Sequence, residues 1–331
     1  MQTKKYDLVS MGEVMLRLAP PRYERLRQAR RLDVTLAGSQ LNVAANLARL
    51  GWRTAFLSKL PANELGILAR DTCASYGVDM AHVQMVPGAR MGVNYLEHTV
   101  APRVSAIVYD RSGSAASTMG PGDYDWAAIV RDTGVAYTDG IMPGLSEGCR
   151  QAALSLLRAA REVGCLTAFD VNYREHLWTA EGARAVWSEM LPLVDVVVTN
   201  RSVSETVFGY QGSVEVIMHC YALDFGSRVV VFTTREMFGI VRGAWSSQAL
   251  YEGEMLAGRR FEFDIVDRFG TGDAFMAGFV YGYVEQGVQY GLDFGNALCA
   301  IAHTLEGDVA QVSLAEVQAM LSEDYSLRVR R

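Results

Sequence analysis

The feature that most constrains the fold of this chain is a repeated alternation of short apolar runs with longer segments of helical periodicity. Four continuous apolar runs cover residues 6–11, 165–171, 194–199 and 228–233, and residues 54–60 are interpreted as a further strand. A strand that is apolar at successive positions is buried on both faces, which is typical of parallel sheets. The alternation therefore predicts an α/β fold in which helices cover both faces of a parallel sheet.

The predicted helices between these strands carry start and stop signals. Helices are predicted over 39–50, 63–76 and 147–163, and each is followed by a glycine, at positions 51, 77 and 164. Asn63 is placed to cap the second of them, and Ser313 with Glu316 form a capping box at the start of the last helix. No internal repeat or linker interrupts the pattern, which predicts one compact unit.

Two segments break the alternation of strand and helix. Residues 14–37 and 91–110 alternate apolar and polar side chains in places, as half-exposed strands do. Val93, Tyr95, Ala106, Val108 and their neighbours fit an antiparallel ribbon. We interpret them as a small sheet that lies over one end of the core and shields a site at the carboxyl ends of the parallel strands. The predicted core is 1–13, 38–90 and 113–331, and the predicted lid is 14–37 and 91–112.

Composition excludes some classes of protein. The 331 residues carry a formal net charge of −6, which gives no reason to expect nucleic acid or an anionic membrane as a partner. The N-terminus lacks an apolar stretch of signal-peptide length. Five cysteines and five histidines are scattered without metal-binding or disulfide spacing. These features predict a cytoplasmic protein with reduced thiols.

The strongest local signal for chemistry is Gly270-Thr271-Gly272-Asp273, which stands between a predicted strand and a helix over 272–287. Glycines allow a ligand to approach the backbone, and the free N–H groups of a helix start attract anions. A carboxylate beside a bound phosphate suits proton removal from an attacking hydroxyl. The alternative is a simple turn in which Asp273 only complements the helix dipole. No P-loop and no dinucleotide-binding fingerprint is present.

Two long motifs give the chain a family resemblance. The segment from Asp267 to Phe275 resembles the C-terminal signature of the ribokinase-like (PfkB) carbohydrate kinases, and the segment from Ala37 to Gly51 resembles their N-terminal signature. Residues 12–15, 109–117 and 170–174 are similar to the 2-keto-3-deoxygluconate kinase branch of that family. The resemblance covers nearly the whole chain.

The resemblance implies a ribokinase-like three-layer α/β/α core with a mostly parallel sheet and a small β lid. It also implies ATP- and Mg²⁺-dependent phosphorylation of a sugar acid, 2-keto-3-deoxygluconate, at its 6-hydroxyl. Asp273 would be the general base, and the backbone of Gly270, Thr271 and Gly272 would form the anion hole. Members of the family lead us to expect a homo-oligomer formed through the lid.

Further site residues carry over from the same resemblance. The substrate residues are Gly38, Asn42, Tyr95, Tyr109, Arg111 and Arg174. Arginines suit a substrate carboxylate because their planar guanidinium makes paired hydrogen bonds. The expected ATP-binding residues are Asn200, Thr234, Arg235, Gly239 and Asn296.

The sequence departs from the family in the part that handles metal and nucleotide. The Asn-x-x-Glu motif of the family falls on Asn200 to Val203, and valine cannot hold a metal-bound water. The metal ligands therefore stay unknown at this point. Two alternatives also stay open, namely a kinase for a neutral sugar such as fructose or ribose, and a catalytically weak sugar-binding homologue.

Overall fold

A computed structural model describes residues 4–100 and 102–322, so residues 1–3 and 323–331 of the predicted core and residue 101 of the predicted lid lie outside the described residues. The strands are β1 Tyr6–Met11, β2 Met15–Ala19, β3 Asp33–Ala37, β4 Thr54–Pro61, β5 Val78–Asp79, β6 Val83–Val86, β7 Gly92–Glu97, β8 Ala106–Asp110, β9 Thr133–Asp139, β10 Leu166–Asp170, β11 Val196–Asn200, β12 Val229–Met237, β13 Arg242–Tyr251, β14 Glu254–Ala257 and β15 Phe261–Asp264. The helices are α1 Ser39–Arg49, α2 Glu64–Ser75, α3 Trp126–Arg131, α4 Glu147–Glu162, α5 Ala180–Met190, α6 Arg201–Val203, α7 Val214–Phe225, α8 Thr271–Gln286, α9 Val288–His303 and α10 Leu314–Leu321.

A large sheet forms the centre of the molecule. Its main path runs β14-β13-β12-β11-β10-β9-β1-β4-β5, while β15 pairs with β13 and β6 pairs with β4. Neighbouring strands from β12 through β4 are parallel, while β13, β14 and β15 extend the sheet with antiparallel pairs at one end. This arrangement confirms the prediction of a mostly parallel sheet.

Helices cover both faces of this sheet, which explains the continuous apolar strands. Leu8 of β1 packs into a core that includes residues of α1, α8 and α9. Its neighbour Val9 packs into a second core with residues of α4, α5 and α7. Because successive side chains of a strand point to opposite faces, both positions must be apolar. The predicted three-layer architecture is confirmed.

The structure also contains the two predicted helix caps. The Asn63 side chain accepts hydrogen bonds from the backbone N–H groups of Leu65 and Gly66 and caps α2. Ser313 and Glu316 form the predicted capping box at the start of α10. None of the described helices is long and apolar enough to cross a membrane.

The two lid segments contain the four strands of a separate sheet with the order β3-β2-β7-β8. The predicted antiparallel ribbon within residues 91–110 is confirmed, since β7 and β8 pair antiparallel, whereas β2 and β7 at the centre of the sheet run parallel. The pairs β2/β3 and β7/β8 are antiparallel. A long excursion through the core separates β2 from β7 in the chain, so no hairpin turn forces these two strands to be antiparallel.

Candidate active site

Two adjacent clefts lie at the carboxyl ends of the parallel strands. The first, here called the lid cleft, has a volume of about 280 Å³ and lies between the small sheet and the core. The second, here called the strand-end cleft, has a volume of about 150 Å³ and is lined by the ends of β10, β11 and β12. Asp273 lines the lid cleft, Gly272 lines the strand-end cleft, and Arg174 lines both. The two clefts therefore meet at the first turn of α8.

Asp273 is almost fully buried at this junction, with 9% of its surface exposed. Its Oδ1 accepts a hydrogen bond of 2.6 Å from the Ser39 hydroxyl, and its Oδ2 accepts one of 2.7 Å from the Asn42 amide. Burial raises the pKa of Asp273, while these two hydrogen bonds oppose the rise by favouring the ionised form. A carboxylate that is held on two sides and faces a cleft is suited to accept a proton.

The start of α8 presents backbone N–H groups without a hydrogen-bond acceptor among the described residues. Gly270 is the N-cap residue with φ +68°, and no described side chain caps the helix. Among the described residues, no acceptor takes a hydrogen bond from the backbone N–H of Gly272 or Asp273. These free N–H groups and the helix dipole favour an anion at this point. The side chain of Arg235 donates to the Thr271 hydroxyl at 2.9 Å and adds positive charge nearby.

Three arginines line the lid cleft, and they differ in whether a carboxylate already pairs with them. Arg111 donates Nε–H and an Nη2–H to one oxygen of Glu13, whose side chain is buried. Arg17 forms a buried ion pair with Asp308. Arg174 donates only to the backbone carbonyl of Tyr173, and none of the described acidic residues pairs with it. Arg174 is therefore free to meet an anionic group in either cleft.

The sequence did not point to Glu13, Arg17 or Asp308 as a set. Glu13 lies in the segment 12–15 that resembles the 2-keto-3-deoxygluconate kinase branch, but only the fold reveals that it pairs with Arg111. Arg17 and Asp308 are 291 positions apart in the chain. No local pattern could have linked them, because their contact depends on how the lid is placed on the core.

One of the predicted lid tyrosines does not face the cleft. Tyr95 shares a row with Val34, Leu18 and Val108 across the small sheet, and Val34 and Val108 are exposed. Asn94, its neighbour in β7, is the residue that lines the lid cleft. The placement of Tyr95 in the substrate site is thus wrong, because successive side chains of a strand point to opposite faces.

The other predicted substrate residues come together. Gly38, Asn42, Tyr109, Arg111 and Arg174 all line the lid cleft with Asp273 and Gly270. Gly38 precedes α1, and a methyl group on it would lie 2.4 Å from the Glu13 carbonyl oxygen. Ala37, the residue before Gly38, is also buried and lines the same cleft.

The structure places the predicted nucleotide residues in different surroundings. Asn200 lines the strand-end cleft, while Thr234 and Gly239 are exposed on β12 and on the turn that follows it. Asn296 is fully buried; its amide accepts from Ser247 and donates to the backbone of Arg259. The prediction that Asn296 contacts nucleotide is wrong here, because both ends of its amide are already engaged inside the protein.

Buried carboxylates surround the junction of the clefts. Asp139 and Asp170 end two neighbouring parallel strands and lie opposite each other in the register. Burial raises the pKa of Asp170 to about 7, and the nearby Asp139 and Asp273 contribute to the rise. Burial also raises the pKa of Asp139. The site therefore places Asp139, Asp170 and Asp273 around Arg174, whose positive charge opposes the rise of their pKa values.

Residues 4–100 and 102–322 contain no group of three or more His, Cys, Asp or Glu side chains placed to hold a metal ion. In the Asn200 segment, the side-chain oxygen accepts from the backbone N–H of Val203, and Val203 itself lines the cleft without offering a ligand. An Mg²⁺ ion that is held mainly by phosphate oxygens and water would not require such a group of side chains.

Comparisons with known proteins agree on one family. The sequence model of the pfkB family carbohydrate kinases matches residues 5–313. A 2-dehydro-3-deoxygalactonokinase of Haloferax volcanii is 37% identical over 95% of this chain and 96% of its own length. A 2-dehydro-3-deoxygluconokinase of Thermoproteus tenax is 26% identical over 91% of this chain and 90% of its own length. The crystal structure of a 2-dehydro-3-deoxygluconokinase from Thermotoga maritima superimposes with a TM-score of 0.89, with 33% identity over 94% of this chain and 96% of that one.

Proposed function

The chain belongs to the pfkB family of carbohydrate kinases, and from that premise we propose that it transfers the γ-phosphate of ATP to the 6-hydroxyl of 2-keto-3-deoxygluconate. The observation that carries this proposal is the meeting of the two clefts at α8, with Asp273 on one side and Gly272 on the other. One cleft would hold the sugar acid and the other the phosphates. The relatives named for 2-dehydro-3-deoxy sugar acids support the same substrate class.

In this proposal Asp273 removes the proton from the attacking hydroxyl. Its Oδ1 and Oδ2 are held by Ser39 and Asn42, so the carboxylate is already oriented when substrate binds. The free backbone N–H groups at the start of α8 stabilise the negative charge on the transferred phosphoryl group. Mg²⁺ supplies charge neutralisation on the phosphates when it is bound with ATP.

The substrate carboxylate is assigned to the arginines of the lid cleft. Glu13 uses only the Nε and Nη2 side of Arg111, so the remaining N–H groups of that guanidinium are oriented but unused by Glu13. Arg174 has no carboxylate partner among the described residues. A site with one free and one oriented arginine favours an acid over a neutral sugar.

A coupled assay of ADP release tests the proposal. The protein is given ATP and Mg²⁺ with 2-keto-3-deoxygluconate, its C4 epimer 2-keto-3-deoxygalactonate, fructose or ribose. We expect kcat/KM to be higher for both sugar acids than for either neutral sugar. A neutral sugar used equally well would overturn the carboxylate assignment, and no sugar-dependent ADP release would leave only a sugar-binding homologue.

We also propose a homo-oligomer formed through the outer face of the small sheet. Val34 and Val108 are 52% and 55% exposed and lie in one row of that face. Light scattering of the wild type and of Val108→Asp checks this proposal. We expect the wild type to be oligomeric and the variant to shift toward monomer, because a charge on an apolar interface is costly to desolvate. A monomeric wild type contradicts the proposal.

A further inference from the structure

Asp139 is a fully buried carboxylate to which the proposed phosphoryl transfer assigns no role. Its Oδ1 accepts from the backbone N–H groups of Ile141 and Met142, at 2.9 and 3.3 Å, and from the side chain of Gln40. Its Oδ2 accepts from the Asn172 amide at 3.0 Å. The Gln40 side chain is buried, whereas Asn172 is half-buried in the loop after β10 and lines the strand-end cleft. Asp139 is therefore a fixed hydrogen-bond acceptor with no access to substrate.

Asn172 connects this fixed carboxylate to Ser39. Its Nδ2 donates to Asp139 at 3.0 Å and to the Ser39 hydroxyl oxygen, also at 3.0 Å. A side-chain amide nitrogen has two N–H donors and no acceptor capacity. Both donors are thus used, and the Ser39 oxygen must accept in its contact with Asn172.

The direction of the Ser39 hydroxyl follows from that contact. A serine hydroxyl has one proton to donate. Since the oxygen accepts from Asn172, the proton is left to be donated. The contact of 2.6 Å assigns it to Asp273 Oδ1, although Asp139 lies close enough that Ser39 also lowers its pKa. The hydrogen bonds therefore run in one direction, from Asn172 to Ser39 and from Ser39 to Asp273.

We propose that Asp139, Asn172 and Ser39 form a positioning relay, which fixes the Ser39 hydroxyl as a donor to Asp273 and so favours the ionised form of the base. The importance of the relay for turnover rests on the proposed function, in which Asp273 is the base. The existence of the hydrogen-bond chain does not depend on that proposed function. In this relay all three act through Asp273 and are positioning residues, although Ser39 also lines the lid cleft and Asn172 also lines the strand-end cleft.

The charges around Asp273 show why such a donor matters. Burial raises the pKa of Asp273, and the charge of Asp139 raises it further, whereas the Ser39 and Asn42 hydrogen bonds and the charge of Arg174 lower it. The titratable and charged groups that face Asp273 from the surrounding elements are Tyr137 and Asp139 of β9, Asp170 and Arg174 at and after β10, Asp308, Arg17 of β2, and the Glu13–Arg111 pair. In this acidic surrounding, a neutral donor stabilises the carboxylate without adding a competing charge.

The experiment reads the protonation of Asp273 directly. The full-length protein is labelled with carbon-13 in its aspartate side-chain carboxyl groups and titrated by NMR, and the Asp273 resonance is assigned with Asp273→Asn. Ser39→Ala should raise the pKa of Asp273 by about one unit, since it removes a hydrogen bond to a charged group. The acid limb of the pH profile of kcat/KM should move to higher pH by the same amount. Activity should recover at pH values above the raised pKa.

Two further variants make the result specific. Asn172→Ala frees the Ser39 hydroxyl to rotate, and we expect a smaller rise of the Asp273 pKa in the same direction. Ser155→Ala is the matched control, because that α4 hydroxyl donates only to the Gln151 backbone carbonyl, and it should leave the pKa unchanged.

An unchanged Asp273 pKa in Ser39→Ala overturns the inference. If that variant does not fold, an unchanged value in Asn172→Ala overturns it instead. An equal rise in Ser155→Ala also overturns it, since the effect would then not depend on the relay. Lack of sugar-acid-dependent turnover in the wild type overturns the proposed function alone, because the NMR titration still decides the relay.

Discussion

Arg17 of the lid and Asp308 of the core form a buried ion pair, with side chains that are 9% and 6% exposed. The Arg17 guanidinium also lies 4.4 Å from the ring centroid of Phe269, the residue before Gly270. The pair therefore joins β2 of the small sheet to the loops beside the start of α8. This contact holds the small sheet against the core beside Asp273.

Loss of one partner from this pair should destabilise the protein. Arg17→Met leaves the Asp308 carboxylate buried without its partner, and we expect the free energy of unfolding to fall by about 3 kcal/mol. The double variant Arg17→Met/Asp308→Asn should recover most of that loss, because neither charge remains. Urea denaturation measures both. The exposed Arg53–Asp7 pair is the control, and Arg53→Met should cost less than about 1 kcal/mol. The prediction is contradicted if Arg17→Met lowers the free energy of unfolding by no more than Arg53→Met does.

Asp273→Asn should abolish most turnover while sugar binding is kept. The amide preserves the size of the side chain but cannot accept the hydroxyl proton, so we expect kcat to fall by about 10²- to 10⁴-fold. Steady-state kinetics measure kcat, and calorimetry measures binding of the sugar acid. Turnover close to that of the wild type would remove Asp273 from the proposed role of base.

Two glycines at the start of α8 should respond differently to alanine. A methyl group on Gly270 would lie 1.9 Å from the Asp308 carbonyl oxygen, at a backbone φ of +68°, so Gly270→Ala should cost more than about 1 kcal/mol of stability. A methyl group on Gly272 meets no atom within 4 Å. Gly272→Ala should therefore fold normally but raise the KM for ATP, because the methyl group would occupy the strand-end cleft. Thermal unfolding and kinetics separate the two effects, and equal stability of both variants argues against the assigned turn.

Arg174→Met should weaken recognition of the sugar acid more than that of ATP. The variant removes the cleft arginine that has no carboxylate partner among the described residues, and we expect the KM for the sugar acid to rise by about tenfold or more. Arg174→Lys should recover part of the loss, since it keeps the charge but not the planar donor pair. A rise confined to the KM for ATP would assign Arg174 to the phosphates.

The stability of the protein should depend on pH through Asp170. Burial raises the pKa of this carboxyl from 3.8 to about 7. Between these pH values the folded protein holds a proton that the unfolded chain has released, so the contribution of Asp170 to the free energy of unfolding falls as pH rises. Asp170→Asn removes this dependence. Relative to the variant, the wild type should thus be more stable at pH 5 than at pH 8 in urea denaturation, and the opposite order contradicts the raised pKa.

The general layout of the site could be predicted from local sequence. The turn Gly270 to Asp273 requires glycine conformations and the start of a helix, and consecutive residues of the sequence indicate both. The two clefts lie at the carboxyl ends of parallel strands, as the alternation of strand and helix implies. Helix caps such as Asn63 were equally local and were confirmed.

Register and distant pairing could not be predicted in the same way. Tyr95 and Asn94 are neighbours in β7, and only the pairing of that strand with β2 and β8 decides which of them faces the cleft. A shift by one residue reverses the face of every side chain in a strand. The burial of Asn296 could not be predicted from local sequence either, since it depends on the packing of α9 against β13.

The order of residues along the chain determined the strands, the helices and the glycine turn that presents Asp273, because these depend on interactions among near neighbours. Only the tertiary structure decided which charges neutralise one another. Glu13 meets Arg111 across 98 positions, Arg17 meets Asp308 across 291, and Ser39 meets Asp273 across 234. The physical reason is that burial makes an unpaired charge costly, so the state of each group is set by the partners that the folded chain brings to it.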